Sequence, residues 1–379
     1  MTPPNSLTLP EVNSPLPVGS KVRFPRQYRI VALPGEGIGP EVVDASLQIL
    51  SAIAKWAGFG LTIDHALIGA PAQDQTGSAL PPATLACCEG ADGIVFGAVT
   101  QSGLLPLRQH FDFFANLRPV RPSKSLYAAS PIKPELLEGV DLLFVRELVS
   151  GLYFGDSGRS QDEQGDYGFH TMRYSDRDIR RIARVALAQA QNRRQHLVLA
   201  HKENALPHLP WRELVRAEAR DFPQVHVEPM LVDNLAMQLI LRPQEFDVIL
   251  AGNLFGDILS DLGGAIAGSI GLLGSASLNA DGFGLYESIG GTAPDIAGKG
   301  IANPLGTLAG IILMLQQWGE PSAAQRLLTV QEQILAQGYR TADLYHPGTQ
   351  PGTISQHQRP VTTDELVKLF VTEIHKTPR

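Results

Sequence analysis

The sequence predicts an α/β protein of two lobes built on a mostly parallel sheet. Three observations carry that reading. Short apolar runs that end in polar or glycine-containing sequence recur along the chain, amphipathic segments of helical period lie between them, and 379 residues exceed the ~250 to 300 over which one hydrophobic core keeps growing. Residues 1–27, proline-rich and without a continuous apolar stretch, read as a flexible tail with no secretory signal. At YRIVALPGEGIGPEVV a β-rich run from Tyr28 to Leu33 meets a glycine-rich turn and then an amphipathic helix. Pro40 falls near the first helical position, where its missing N–H costs nothing. The runs Ala91 to Val99, Val140 to Leu148, His196 to Asn204 and Phe246 to Leu259 repeat the scheme, as strands buried on both faces do. SDRDIRRIARVALAQAQNRR reads as a helix with a capping box made by Ser175 and Asp178. Its core stripe is Ile179, Ile182, Ala183, Val185 and Ala186. Residues Gly155 to His170, polar and glycine-rich, suggest a projecting arm, and the small apolar stretch Gly263 to Gly274 suits close helix packing.

Composition narrows the function classes. A net charge of −7 and a pI near 5.8 exclude the clustered positive charge that nucleic-acid and anionic-membrane binders need. Cys87 and Cys88 are adjacent and cannot staple the fold, so the chain is not a secreted disulfide scaffold. No stretch approaches the ~20 apolar residues of a membrane helix. A cytoplasmic protein is expected.

Several residues bear chemistry. GEGIG begins like a dinucleotide fingerprint, but the third glycine is replaced by Pro40, so the fold is not a classical Rossmann one. In GDILSD, Asp257 and Asp261 stand one helical turn apart and repel each other unless a cation lies between them. A solvated helix face is the bland alternative, yet the surrounding NLFGDILSDLGGAIAG contains no other charge. Asp233, in the apolar context MLVDNLAMQLI, is a candidate third oxygen ligand, and an all-oxygen set favours Mg²⁺ or Mn²⁺. Arg108, Arg118 and Arg146 lie at the edges of apolar runs. Any one of them is more often a surface residue, but three in an acidic protein suggest a clamp for two carboxylates. Lys202 ends a buried run and would be a costly charge unless paired or shifted toward neutrality, a condition suited to proton transfer. Tyr153, taken alone, reads first as a core residue with its hydroxyl satisfied. The ten histidines show no metal-ligand spacing.

Together these segments resemble the metal-dependent β-decarboxylating dehydrogenases, the isocitrate/isopropylmalate dehydrogenase family, and most of all its isopropylmalate branch. The resemblance runs from about Tyr28 to the C-terminal region through LPGEGIGPEV, LLPLRQHFDFFANLRP, VRELVSGLYFGD, HKENAL, VDNLAMQ, NLFGDILSDL and YESIGGTAPDIAGKGIANP. It implies a discontinuous cofactor lobe (28–113 and 268–379) and a second lobe (114–267) bearing a dimer contact and the arm at about 155–170. It further implies Asp233, Asp257 and Asp261 as metal ligands, and Arg108, Arg118 and Arg146 as carboxylate binders beside an apolar wall of Leu104 and Leu105. Lys202 and Tyr153 would move protons. Ile38, Asn204, Glu287, Ala293, Asp295, Ile296 and Asn303 would surround NAD, with Asp295 disfavouring NADP. Lys202 and Asp233 would enter the active site of a second copy, making the enzyme an obligate homodimer. The implied activity is oxidative decarboxylation of a 3-substituted malate, first of all 3-isopropylmalate to 2-oxoisocaproate in leucine biosynthesis. One departure stands out: only TQSG lies between Val99 and Leu104, where the family has a longer loop with a glutamate. That shortening leaves a bulkier substituent open, such as the benzyl of 3-benzylmalate on a route to homophenylalanine. A non-catalytic regulatory relative is the alternative of another class, and the intact aspartates, lysine and tyrosine speak against it.

Overall fold

The computed structural model describes residues 26–100, 102–345 and 358–376. The expected tail therefore lies outside the described residues except at its end, where its boundary is corrected. Gln27 already belongs to the first strand, and Arg26 donates to Glu320 at 2.7 Å.

Ten strands make one sheet: β1 (Gln27–Gly35), β2 (Gly60–His65), β3 (Gly93–Ala98), β4 (Ala115–Val120), β5 (Leu142–Glu147), β8 (His196–His201), β9 (His226–Leu231), β10 (Val248–Ala251), β11 (Gly274–Leu278) and β12 (Gly284–Ser288). β6 (Ser157–Asp162) and β7 (Gly165–His170) form a separate antiparallel hairpin whose residues are almost all exposed, in the stretch read from the sequence as an arm, and two two-residue strands, Tyr339–Arg340 and Arg359–Pro360, pair in parallel elsewhere. The large sheet runs β2-β1-β3-β12-β11-β4-β5-β10-β8-β9. Within β2-β1-β3-β12 and within β5-β10-β8-β9 every pair is parallel. At the centre β12, β11, β4 and β5 alternate in direction, so the two parallel groups run in opposite senses across an antiparallel seam.

The apolar runs become strands for the reason their composition suggests: β3, β5 and β10 are buried along their whole length, with helices covering both faces. The helix Gly39–Ala57 begins with proline in its first turn and ends on Gly58 in the left-handed region. The helix Asp176–Gln191 carries the anticipated capping box. The Ser175 hydroxyl accepts from the Asp178 N–H at 3.2 Å, and the Asp178 carboxylate accepts from the Ser175 N–H at 3.0 Å. The helix Asn253–Ala267 sits close on the seam because its glycines allow it. A Cβ on Gly263 would lie 2.6 Å from Val120 Cγ2 of β4, and one on Gly256 2.7 Å from Arg146 Cγ of β5. Its outer face is less buried than the apolar sequence implies, with Ile258 58% exposed.

Candidate active site

Arg108, Arg118 and Arg146 are all buried, and β4, β5 and two helices bring them toward one place. Arg146, near the end of β5, donates through Nε and Nη2 to Asn253 Oδ1 at 3.0 and 2.7 Å, and through Nη1 to Asp257. Asn253 is itself fixed, its amide donating to the Leu148 and Ser150 carbonyls and its backbone N–H to the Tyr174 hydroxyl at 2.8 Å. Arg118 on β4 donates to Asn116 Oδ1 at 2.8 Å and Ser260 Oγ at 2.7 Å, and its Nη1 lies 3.9 Å from Asp257 and 3.5 Å from Asp261. Arg108, from the helix Leu104–His110, pairs with Glu287 of β12 at 2.9 Å. Tyr153 donates its hydroxyl to Asp257 Oδ2 at 2.8 Å.

Three guanidinium groups thus face Asp257, Asp261 and Glu287, a balance of opposite charges that limits the cost of burying them. The two helix aspartates differ. Burial raises both carboxyls, but Arg146, the Tyr153 hydroxyl and Arg118 overcome this at Asp257 and hold it below the ordinary range. Asp261, farther from the arginines and beside the charge of Asp257, stays raised. Burial and the bond to Asp257 also raise the Tyr153 hydroxyl, which therefore keeps its proton at neutral pH. Carboxylate oxygens one turn apart, with a raised and exposed member, suit a hard divalent cation. A dianionic substrate arriving with that cation would leave the charge balance unchanged.

Lys202 and Asp233 stand apart from this cluster. Lys202 follows β8, Asp233 opens the helix Val232–Leu241, and their side chains pair at 2.9 Å with Asp233 largely exposed. The lysine lowers the Asp233 carboxyl by its hydrogen bond. Among the described residues, Asp233, Asp257 and Asp261 do not form a group with ligand atoms within 4.8 Å of one another. The expected triad is therefore incomplete within one chain. The helices bearing these aspartates also present Met237, Leu241 and Ile258, each more than half exposed.

Of the residues expected around the cofactor, Ile38, Ala293, Ile296 and Asn303 line one cleft of about 380 Å³ between the GEGIG turn and the Ile289–Asn303 segment. The turn is held shut against that segment: the Ile38 N–H donates to the Thr292 carbonyl at 2.9 Å, and Gly37, at φ 60°, passes so close that a Cβ would meet the same oxygen. Asp295 is exposed just beside the cleft, Glu287 is engaged with Arg108, and Asn204 lies elsewhere, in a second hollow with His201 and Arg212. The short loop after β3 folds back on the turn, Thr100 donating to Glu36 at 2.7 Å; Gln101 lies outside the described residues. Leu104 is half-buried and Leu105 exposed, on the same helix as Arg108.

Sequence reasoning missed Asn253, Ser260, Asn116 and Asp343. Asn253 was findable, since Asn253, Asp257 and Asp261 recur every four residues on one helix face. Asp343, which accepts from Asn303 at 3.0 Å and Ser269 at 2.6 Å on the cleft wall, has no such signal.

The profile described as isocitrate/isopropylmalate dehydrogenase matches residues 29–368. Among curated proteins, the 3-isopropylmalate dehydrogenase of Pseudoalteromonas translucida is 45% identical over 84% of this chain and 94% of its own length. That of Halalkalibacterium halodurans is 46% identical over 85% and 93%. Among solved structures, the isocitrate dehydrogenase of Methylococcus capsulatus superposes with a TM-score of 0.82 at 30% identity, covering 92% of this chain and all of that one. A β-decarboxylating dehydrogenase from Thermococcus kodakarensis, in its apo form, gives 0.73 at 30% identity over 92% and 96%.

Proposed function

The chain belongs to the isocitrate/isopropylmalate dehydrogenase family, and from that premise we propose that it oxidatively decarboxylates 3-isopropylmalate to 2-oxoisocaproate in leucine biosynthesis, with NAD and Mg²⁺ or Mn²⁺. The observation that carries the reading is the assembly of Arg118, Arg146, Asp257, Asp261 and Tyr153 over the seam, with Arg108 one helical turn from the apolar Leu104. A small dicarboxylate chelated to a cation would use all of these groups at once.

In this reading the arginines take the two carboxylates and orient C2 and C3, Arg146 exchanging Asp257 for the substrate. Asp257 and Asp261, with Asp233 of a second copy, would hold the divalent ion, which would supply Lewis-acid stabilisation of developing negative charge, and the cleft lined by Ile38, Ala293, Ile296 and Asn303 would hold NAD, the hydride acceptor. Lys202 of that second copy assists removal of the C2 hydroxyl proton. After CO₂ leaves C3, the protonated Tyr153 delivers a proton there. Residues 28–113 with 268–379 act as the cofactor lobe and 114–267 as the lobe of the dimer contact. The exposed Met237, Leu241 and Ile258 support a helix-to-helix contact that brings the two half-sites together. Asp295, free beside the cleft mouth, suits the ribose hydroxyls of NAD and repels a 2′-phosphate. A cytoplasmic location fits this reading, and no described helix is long and apolar enough to cross a membrane.

The test is a comparison of kcat/KM for 3-isopropyl-, 3-methyl- and 3-benzylmalate, isocitrate and tartrate with NAD and Mn²⁺. Preference for the isopropyl compound of at least ~10-fold is expected from apolar-pocket discrimination. A strong preference for 3-benzylmalate would overturn the substrate assignment.

A further inference from the structure

The histidines, scattered in sequence, are not scattered in space. His196 opens β8 and His226 opens β9, and the parallel register sets them directly side by side; Glu228, two residues on, projects from the same face of β9. The His196 and His226 rings stack at 5.5 Å with an interplanar angle of 24°, and His196 Nε2 lies 3.1 Å from Glu228 Oε2. One ligand atom from each of the three comes within 4.8 Å of the others, the one such group of three or more His, Cys, Asp or Glu among the described residues. The scaffold beneath is fixed. The His226 N–H donates to the Gln195 carbonyl at 2.8 Å, and Gln195 holds a left-handed φ of 60°, unusual for a residue with a side chain, immediately before His196.

We propose that His196, His226 and Glu228 form a binding site for a divalent transition-metal ion of the Zn²⁺ class. Two imidazoles and one carboxylate are the ligand set that such ions take with water completing the shell, and nitrogen ligation selects against Mg²⁺. The three side chains are half-buried or exposed, so an ion reaches them without opening the fold. The site lies at the start of β8 and β9, whereas Lys202 and Asp233 follow the ends of the same strands. An ion there would clamp the edge strand β9 to β8 at the end remote from the chemistry. It is chemically distinct from the all-oxygen aspartate site.

The experiment is titration of the untagged full-length protein with Co²⁺ in saturating Mg²⁺, followed by visible absorption, and with Zn²⁺ by calorimetry. One ion per chain is expected, with the stronger, lower-symmetry d–d bands that nitrogen ligation gives. Affinity should fall at least ~10-fold in His226→Ala and less in Glu228→Gln. Asp257→Asn should keep the same spectrum, and His226→Ala should keep normal turnover with Mg²⁺. Binding of equal strength and spectrum in wild type and His226→Ala would overturn the site, as would the absence of any nitrogen-type spectrum.

Discussion

The arginine cluster over the seam and the Lys202–Asp233 pair bear the same kinds of charge but are built differently. In the first, the buried Arg118 and Arg146 guanidinium groups are held by Asn116, Asn253 and Ser260 as well as by the aspartates, so removing one aspartate carboxylate leaves both of them other partners, whereas Arg108 rests on Glu287. In the second, a half-buried lysine and an exposed aspartate pair at 2.9 Å, and the aspartate accepts besides only from backbone N–H groups at its own helix start, Asp233 and Asn234. The first is fixed by neutral side chains as well as charged ones; the second rests chiefly on its own ion pair. On the proposed function, preorganisation is concentrated where carboxylates would be oriented, and Lys202 would be completed by a second copy.

The largest test of this contrast is Asp257→Asn. It should lower kcat/KM by ~10³-fold or more, the several kcal/mol expected of a cation site, while the circular dichroism spectrum and Tm stay close to wild type because Arg146 retains Asn253. A collapse of the fold would show instead that the arginines depend on that carboxylate. Lys202→Ala should cost ~10² to 10⁴-fold in kcat, the range of general acid–base groups. Mixing the unfolded Lys202→Ala and Asp257→Asn chains and refolding them together should then restore about a quarter of wild-type activity, since half of the dimers are mixed and each of these has one intact site. No recovery would mean that both residues serve the same chain. Tyr153→Phe should lower kcat ~10²-fold with little change in KM, and a matching rise in KM would assign the hydroxyl to binding instead.

The smallest effect concerns stability. Glu147, wholly buried at the end of β5, accepts from the Val149 and Ser150 N–H groups, yet burial pushes its carboxyl up to about 7. A folded-state value above the unfolded one means that the native chain binds the extra proton. The associated stability is complete below the ordinary glutamate range and is lost as pH rises through about 7. Tm should therefore fall more steeply between pH 5 and 8 in wild type than in Glu147→Gln, and parallel curves would refute the assignment.

Much of this was legible in the sequence for physical reasons. The capping box at Ser175 and the buried runs of β3, β5 and β10 are local, and the paired aspartates share a helix face by spacing alone. The antiparallel seam was not legible, because ANLRPV and GSASL are short, mixed in polarity and paired with residues far away in the chain. The discontinuous lobe that the resemblance implies is marked by no change of composition. His196 and His226 look unrelated until the register of β8 and β9 joins them. Side-chain spacing within one element can be read directly, whereas pairing between elements has to be built.

The seam also orders events during synthesis. β3 ends at Ala98, but its neighbour β12 begins only at Gly284, and the helix Leu305–Gln317 that packs on β12 comes later still. As the chain leaves the ribosome, residues of β5, β8, β9 and β10 can pair among themselves while β3 waits with an open, wholly apolar edge. The later-completed half is therefore the one exposed to mispairing. Chains truncated before Gly274 should bind chaperones or aggregate through β3 even when the middle of the protein has already folded.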